Sequence, residues 1–151
     1  MKDQEIKDSG RPIVASISGG KDSIAMALWL REEGFEETNE IHYVYAETGW
    51  EHPVLYEYIE STVKPLLGDR FHRVASKKYP GGMAEMVTTK GAFPSRRFRF
   101  CTDELKKKPL AAYIKGLGND PLPINAIGIR AAERVARSKM DRWEPGTIFG
   151  K

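Results

Sequence analysis

The string Ser18-Gly19-Gly20-Lys21-Asp22-Ser23 lies between an apolar, β-branched run and an amphipathic one, and it narrows the folds open to this chain more than any other feature. Residues 12–17, Pro-Ile-Val-Ala-Ser-Ile, read as a short buried strand. Residues 23–33 read as a helix with Ile24, Ala27 and Leu28 on one face and Gly34 closing it. A helix start offers unpaired N–H groups and the positive end of its dipole. Gly19 and Gly20 let the backbone turn and approach an anion closely, Lys21 adds a mobile positive charge, and Ser18 and Ser23 add hydroxyl donors. The spacing is neither that of a Walker A loop nor that of a G-x-G-x-x-G turn. A plain glycine turn is the alternative reading, and six consecutive polar or glycine residues in this setting favour anion binding.

The pattern recurs. Residues 41–46 read as a second strand, residues 54–67 as a helix with Leu55, Tyr58, Ile59, Thr62 and Leu66 at helical spacing, and residues 71–75 as a third strand. A short helix near 83–90 comes next. Thr102 is placed to cap a helix over 103–115, which Pro109 should kink or divide and Gly116 and Gly118 should end. Residues 125–129 read as a fourth strand and 131–139 as a last helix. This alternation predicts an α/β fold, Rossmann-like, with a mostly parallel sheet and helices on both faces. Ligands then bind outside the carboxyl ends of the strands, where residues 18–23, 47–53, 76–82 and 130 onward lie.

At 151 residues, 40% hydrophobic and 30% charged, the chain is expected to fold, with residues 1–11 a frayed polar lead-in and 12–151 a single domain. The lone Cys101 rules out an internal disulfide, and also an iron–sulfur or multi-thiolate zinc site made by this chain alone. A polar start and short apolar runs predict a cytoplasmic protein that does not enter the membrane. His42, His52 and His72 lack metal-ligand spacing. Trp50 is expected to pack in its loop, with stacking on a base as the alternative, and His52 lies where it could touch a ligand.

The string SGGKDS, with Ser16 two places ahead, resembles the PP-loop of ATP pyrophosphatases, the adenine nucleotide alpha hydrolase-like superfamily. That group includes tRNA thiolation enzymes, NAD and GMP synthetases, the small subunit of ATP sulfurylase and PAPS reductase. Three further strings are similar to the PAPS reductase branch. Ala46-Glu47-Thr48-Gly49-Trp50 resembles its D-T-G loop, with Glu47 in place of Asp. Cys101-Thr102-x-x-Leu105-Lys106-x-x-Pro109-Leu110 resembles its C-x-x-x-(K)-x-x-P-L segment. Gly128-Ile129-Arg130-Ala131-Ala132-Glu133-Arg134-Val135-Ala136-Arg137 resembles its G-x-R-x-x-E-S-x-x-R, with Arg134 in place of Ser. The resemblance implies that residues 16–23 hold the phosphates of ATP, APS or PAPS, that Glu47, Thr48, Gly49, Lys106 and Gly128 line the same pocket, and that Lys21 and Arg130 serve the chemistry. Arg130 and Arg137 suit a bidentate clamp on phosphate or sulfate oxygens; a helix-surface pair of Arg130 with Glu133 is the alternative. Asp22 and Glu47 suit Mg²⁺ held through waters, and Asp22 could instead cap its helix.

Reduction in that family needs a thiolate from an E-C-G-x-H-like segment, which this sequence lacks, and Cys101 reads as a small packed thiol. Nucleotide binding is thus the first expectation, adenylyl or pyrophosphate chemistry the next, and thiol-dependent reduction the last; a minimal domain or one lacking a C-terminal extension both fit. Two other readings stay open. One is an adenylating sulfur-transfer enzyme acting on nucleic acid, as in tRNA thiolation or DNA phosphorothioation, with basic residues at 96–108 and 130–142 forming its face. The other is a catalytically silent module that binds a nucleotide or a protein partner. The sequence leaves the oligomeric state open.

Overall fold

Four runs rich in Ile, Val and aromatic side chains are short enough to be strands and apolar enough to be covered on both faces. The computed structural model describes residues 2–130, 132 and 135–145. Its elements run α1 (Asp3–Asp8), β1 (Ile13–Ile17), α2 (Lys21–Glu32), α3 (Phe35–Thr38), β2 (Ile41–Glu47), α4 (Pro53–Tyr58), α5 (Lys64–Leu67), β3 (Phe71–Ala75), α6 (Gly82–Lys90), α7 (Phe100–Thr102), α8 (Lys108–Gly116), β4 (Ile124–Ile127) and α9 (Val135–Ser138). The strands form one sheet in the order β3-β2-β1-β4. All three pairings are parallel. On one face Ile13, Ala15, Ile17, Tyr43 and Tyr45 bury against Ala27, Leu30, Phe35, Ile59, Val63 and Leu67. On the other, Val14 and Val44 lie beneath Leu110 and Ile114 of α8. The expected α/β architecture, with helices on both faces, is therefore the observed one.

Chain order explains where a ligand can sit. From β1 the chain steps outward through β2 to β3, then crosses to the other side of β1 for β4. The chain leaves β1 towards β2 and returns from β3 to the far side of β1, so the order reverses between β1 and β4 and a crevice opens outside their carboxyl ends.

Several local expectations are corrected. Residues 54–67 are helical but not uniformly so: a π turn, Ile59–Val63, separates α4 from α5. A second π turn, Asp103–Lys107, precedes α8. Each ends two residues before a proline, Pro65 or Pro109. A proline gives no N–H to the carbonyl four residues back and its ring pushes that carbonyl away, and a widened turn absorbs both effects. The extra residue rotates the succeeding turn of helix, so Val63 and Leu67 are buried where Thr62 and Leu66 were expected. In α2, Leu30 rather than Leu28 completes the buried face with Ala27. Thr102 is not a cap; it is itself helical and makes no capping hydrogen bond. Nor does Asp22 cap α2, whose N-cap is Gly20. Of the expected last helix α9 is described, while residues 131, 133 and 134, among them Glu133 and Arg134, lie outside the described residues.

The lead-in is not frayed. Ile6 of α1 is buried, and Asn39 donates to the carbonyls of Ile6 (3.1 Å) and Arg11 (2.9 Å). Asp3 accepts hydrogen bonds from Arg142 (2.6 Å) and Trp143 (2.7 Å), which brings Trp143 against Trp29 and Phe35. No helix among the described residues is long and apolar enough to cross a membrane.

One charged group is built into this side of the core. Glu36 accepts from Tyr43 Oη at 2.7 Å and from Arg31 Nε at 3.2 Å, with Arg70 at 3.7 Å. Burial opposes its charge, but the hydrogen bonds from Tyr43 and Arg31 and the charges of Arg31 and Arg70 outweigh burial and hold the carboxyl below its ordinary range. A depressed folded value means that its contribution is fully present above the unfolded carboxylate range and is lost as pH falls through the folded value. Glu36→Gln is accordingly expected to cost about 2 kcal/mol at neutral pH. In melting curves across pH the two proteins should converge as pH falls below the ordinary carboxylate range and the carboxyl becomes protonated.

Candidate functional site

The loop after β1 is shaped by its own hydroxyls. Ser23 Oγ donates to the Gly20 carbonyl (2.9 Å) and accepts from the Ser18 N–H (3.2 Å), while Ser18 Oγ lies 3.3 Å from Ser23 Oγ and accepts from the Gly20 N–H at 3.3 Å. Ser23 is thus a buried brace, and Ser18, Gly20 and Lys21 are exposed. Gly19 has φ +79°, and a Cβ there would fall 2.7 Å from Leu55 Cδ1, so glycine also lets the loop sit against α4. No side chain caps α2, and the positive end of the helix faces the crevice without a built-in anion at its N-cap.

The segment after β4 closes onto this loop. A Cβ on Gly128 would lie 2.5 Å from the Asp22 carbonyl oxygen and 2.8 Å from Ser23 N, so strand end and helix start touch backbone to backbone. Arg130 Nε is 3.5 Å from Asp22 Oδ2. Asp22, Arg130 and Arg137 line one cleft of about 1270 Å³, walled by Met26, Trp29 and Ile127. Sequence-distant residues 22, 128, 130 and 137 are therefore brought together at the switch between β1 and β4.

A second group forms after β2. Glu47 Oε1 accepts from the Gly49 N–H (2.9 Å) and from Tyr56 Oη (2.8 Å). Thr48 Oγ1 donates to Glu51 Oε1 (3.2 Å), and Lys106 Nζ reaches the same oxygen at 3.7 Å. Lys106 is thus fastened to this loop. Burial first, then the hydrogen bond it donates to Glu47 and the carboxylates of Glu47 and Glu51, raise the Tyr56 phenol above its ordinary range and keep it a donor. Tyr56 and Glu51 escaped the sequence reading; the only signal was a tyrosine one turn into the helix after Pro53. The loop is clamped from outside as well, since Met83 N donates to the Thr48 carbonyl at 2.8 Å and Gly82 packs on Thr48 and Gly49.

Other expectations fall differently. Ser16 belongs to β1, and its buried Oγ has no hydrogen-bond partner among the described residues, so it stands apart from the Ser18–Ser23 hydroxyl pair. Trp50 is 60% exposed rather than packed. His52 caps α4 by accepting from Val54 N at 3.2 Å. Cys101 is a free, half-buried thiol against the Tyr79, Met86 and Leu105 cluster. A further cavity of about 510 Å³, lined by Ser76, Lys78, Glu104, Lys108 and Tyr113, takes no residue from the β1 loop.

The family model of the phosphoadenosine phosphosulfate reductase domain matches residues 12–151. An uncharacterized nin region protein, ORF290, of Escherichia phage lambda is 32% identical over 145 residues, covering 80% of this chain and 48% of that protein. An uncharacterized 37.8 kDa protein in the gpa 5' region of Escherichia phage 186 is 28% identical over 174 residues, covering 87% of this chain and 51% of that protein. The chain spans about half the length of these curated relatives. No solved structure matches it.

Proposed function

The chain belongs to the phosphoadenosine phosphosulfate reductase domain family, and on that premise we propose that it is a PP-loop enzyme binding ATP, APS or PAPS by the phosphates. The observation that carries this reading is the uncapped start of α2 at the strand-order switch, with Gly128 pressed on its first turn and Arg130 beside Asp22. Main-chain N–H groups of the loop, the Ser18 hydroxyl and Lys21 are the donors for phosphate oxygens, and Arg130 and Arg137, which line the cleft with Asp22, supply guanidinium. Because Asp22 holds Arg130, the guanidinium is oriented before a ligand arrives.

With ATP, the reaction that suits this arrangement is adenylyl transfer. An acceptor oxygen or sulfur bonds to the α-phosphorus, the bond from α-phosphorus to the bridging oxygen breaks, and pyrophosphate leaves. The loop N–H groups and Lys21 stabilise the charge that builds on pyrophosphate. The donor set fits a Mg²⁺ held mainly by phosphate. No group of three or more His, Cys, Asp or Glu that could hold a metal occurs among the described residues, and Mg²⁺ needs only one or two carboxylates once phosphates supply the rest. Asp22 and Glu47 would hold it through water; when bound it would offset charge on the leaving group. Adenylyl chemistry is preferred to sulfonucleotide reduction because Cys101 packs against an apolar cluster and has no second thiol to resolve it in this sequence. A nucleic-acid acceptor is a second reading, favoured by the arginine-rich residues 91–99.

Thermal shift with ATP, AMP, APS and PAPS, each with and without Mg²⁺, tests the reading. At ligand a hundredfold above Kd the gain is about 2.7 kcal/mol, a shift of roughly 5–10 °C for a chain of this size. One of ATP, APS or PAPS should produce it, Lys21→Ala should remove most of it, and Mg²⁺ alone should do nothing. Lys21 is exposed, so its loss leaves the fold intact. If none of the nucleotides moves the melting temperature, the phosphate-loop reading is wrong.

A further inference from the structure

Between α6 and α7 the chain makes an excursion whose surface differs from the rest. Residues 86–102 contain Lys90, Arg96, Arg97 and Arg99 and no Asp or Glu. The basic stretch 96–108, expected to form one face, divides in two. Lys106, Lys107 and Lys108 are paired with Glu51, Asp103 and Glu104. Arg96, Arg97 and Arg99 meet no carboxylate among the described residues. Interleaved with these arginines, Phe93 and Phe98 are 69% and 63% exposed. A turn presents them: Ser95 N donates to the Phe98 carbonyl (3.1 Å) and Phe98 N to Ser95 Oγ (3.1 Å). The Arg97 guanidinium lies over the Phe98 ring at 5.9 Å.

We propose that residues 91–99 bind single-stranded nucleic acid, with bases stacking on Phe93 and Phe98 and phosphates meeting Arg96, Arg97 and Arg99. Unpaired cations interleaved with open aromatic faces are the two components of sequence-tolerant single-strand binding. An acidic peptide would account for the arginines and leave both phenyl rings in water. An anionic membrane favours a continuous apolar patch, whereas residues 86–102 expose only these two large hydrophobics, with Arg96 and Arg97 between them. A duplex keeps its bases stacked inside and offers the rings nothing to stack on.

Both stems of the excursion are fixed to the loop after β2: Met83, at the start of α6, donates to Thr48, and Lys106 pairs with Glu51. A strand held here is held at the edge of the proposed nucleotide site. The inference names the acceptor class and depends on the nucleotide reading for that purpose, while strand binding itself does not depend on it.

The test is fluorescence anisotropy of labelled oligo-dT and oligo-U of about 20 nucleotides, with a duplex of equal length and phosphatidylserine vesicles as competitors. Wild type is compared with Phe93→Ala/Phe98→Ala, Phe93→Leu/Phe98→Leu and Arg96→Gln/Arg97→Gln/Arg99→Gln, all monitored by melting temperature and by the ATP shift. Single strands should bind, and the alanine pair should weaken binding about tenfold or more. The leucine pair should not restore it, because stacking and not apolar area is lost. The arginine triple variant should flatten the slope of log K against log salt by about 2, from ~0.7 per phosphate contact. Melting temperature and ATP shift should stay as in wild type. Absent binding at low salt, binding indifferent to the phenylalanines, leucine that substitutes fully, or capture by vesicles in place of single strands would each overturn the proposal. Strand binding with no shift from ATP, APS or PAPS would sink the nucleotide reading and leave this one standing.

Discussion

Gly128→Ala is expected to abolish the nucleotide-induced shift and to cost about 3 kcal/mol of stability, although it adds only one methyl group to a surface crevice. The added carbon would lie 2.5 Å from the Asp22 carbonyl oxygen, 2.7 Å from its carbon and 2.8 Å from Ser23 N. All three are backbone atoms in the first turn of α2, so no rotamer relieves the clash. Either the end of β4 withdraws or the start of α2 lifts, and both separate Arg130 from the phosphate loop. Urea melts and thermal shift measure the two effects separately, with the melting temperature falling roughly 6–12 °C. A variant that melts like wild type would show that β4 does not close on the loop as described. One that melts lower yet keeps its nucleotide shift would show that the contact shapes the fold and not the site.

That contact also marks how far the sequence could be read. The alternation of strand and helix, the parallel sheet and the loop at residues 18–23 were legible because each rests on local pattern: β-branched runs, a glycine pair, a helix-forming run behind it. The phase of the helix after residue 58 was not. Pro65 acts on a carbonyl four residues back, and the π turn that accommodates it moves the buried stripe onto Val63 and Leu67. The lead-in misled for another reason: Ile6 is a lone apolar residue among polar ones, and the partners of Asp3 stand 139 and 140 residues away. At the site, residue types were legible and pairings were not. Lys106 was singled out, but nothing in its spacing shows that it reaches Glu51, or that Tyr56 holds Glu47. Such pairings arise from how α4 and the turn before α8 pack on the sheet, and packing is not written in local periodicity.

The second large effect is expected at the opposite side of the crevice, where two glycines at the ends of α6 form a matched pair. Gly82 has φ +68° and Gly91 has φ +66°, so alanine at either position carries the same left-handed strain, about 1–2 kcal/mol. Around Gly91 nothing lies within 4 Å, and the cost should stop there. At Gly82 the new carbon would fall 2.3 Å from the Thr48 carbonyl oxygen, which already accepts the Met83 N–H at 2.8 Å. Relief requires α6 to move off the loop and surrender that hydrogen bond, so Gly82→Ala should cost about 4 kcal/mol in all. Subtracting the two losses, measured by urea unfolding, removes the shared backbone term and leaves the energy of seating α6 on residues 48–49. Because those residues sit between Glu47 and Glu51, the displaced loop should also loosen the Lys106 pairing and the stem of the 91–99 excursion, weakening nucleotide and strand binding together. Equal losses for the two alanines would mean that α6 is not seated there, and the proposed coupling between nucleotide loop and strand-binding surface would have no physical carrier.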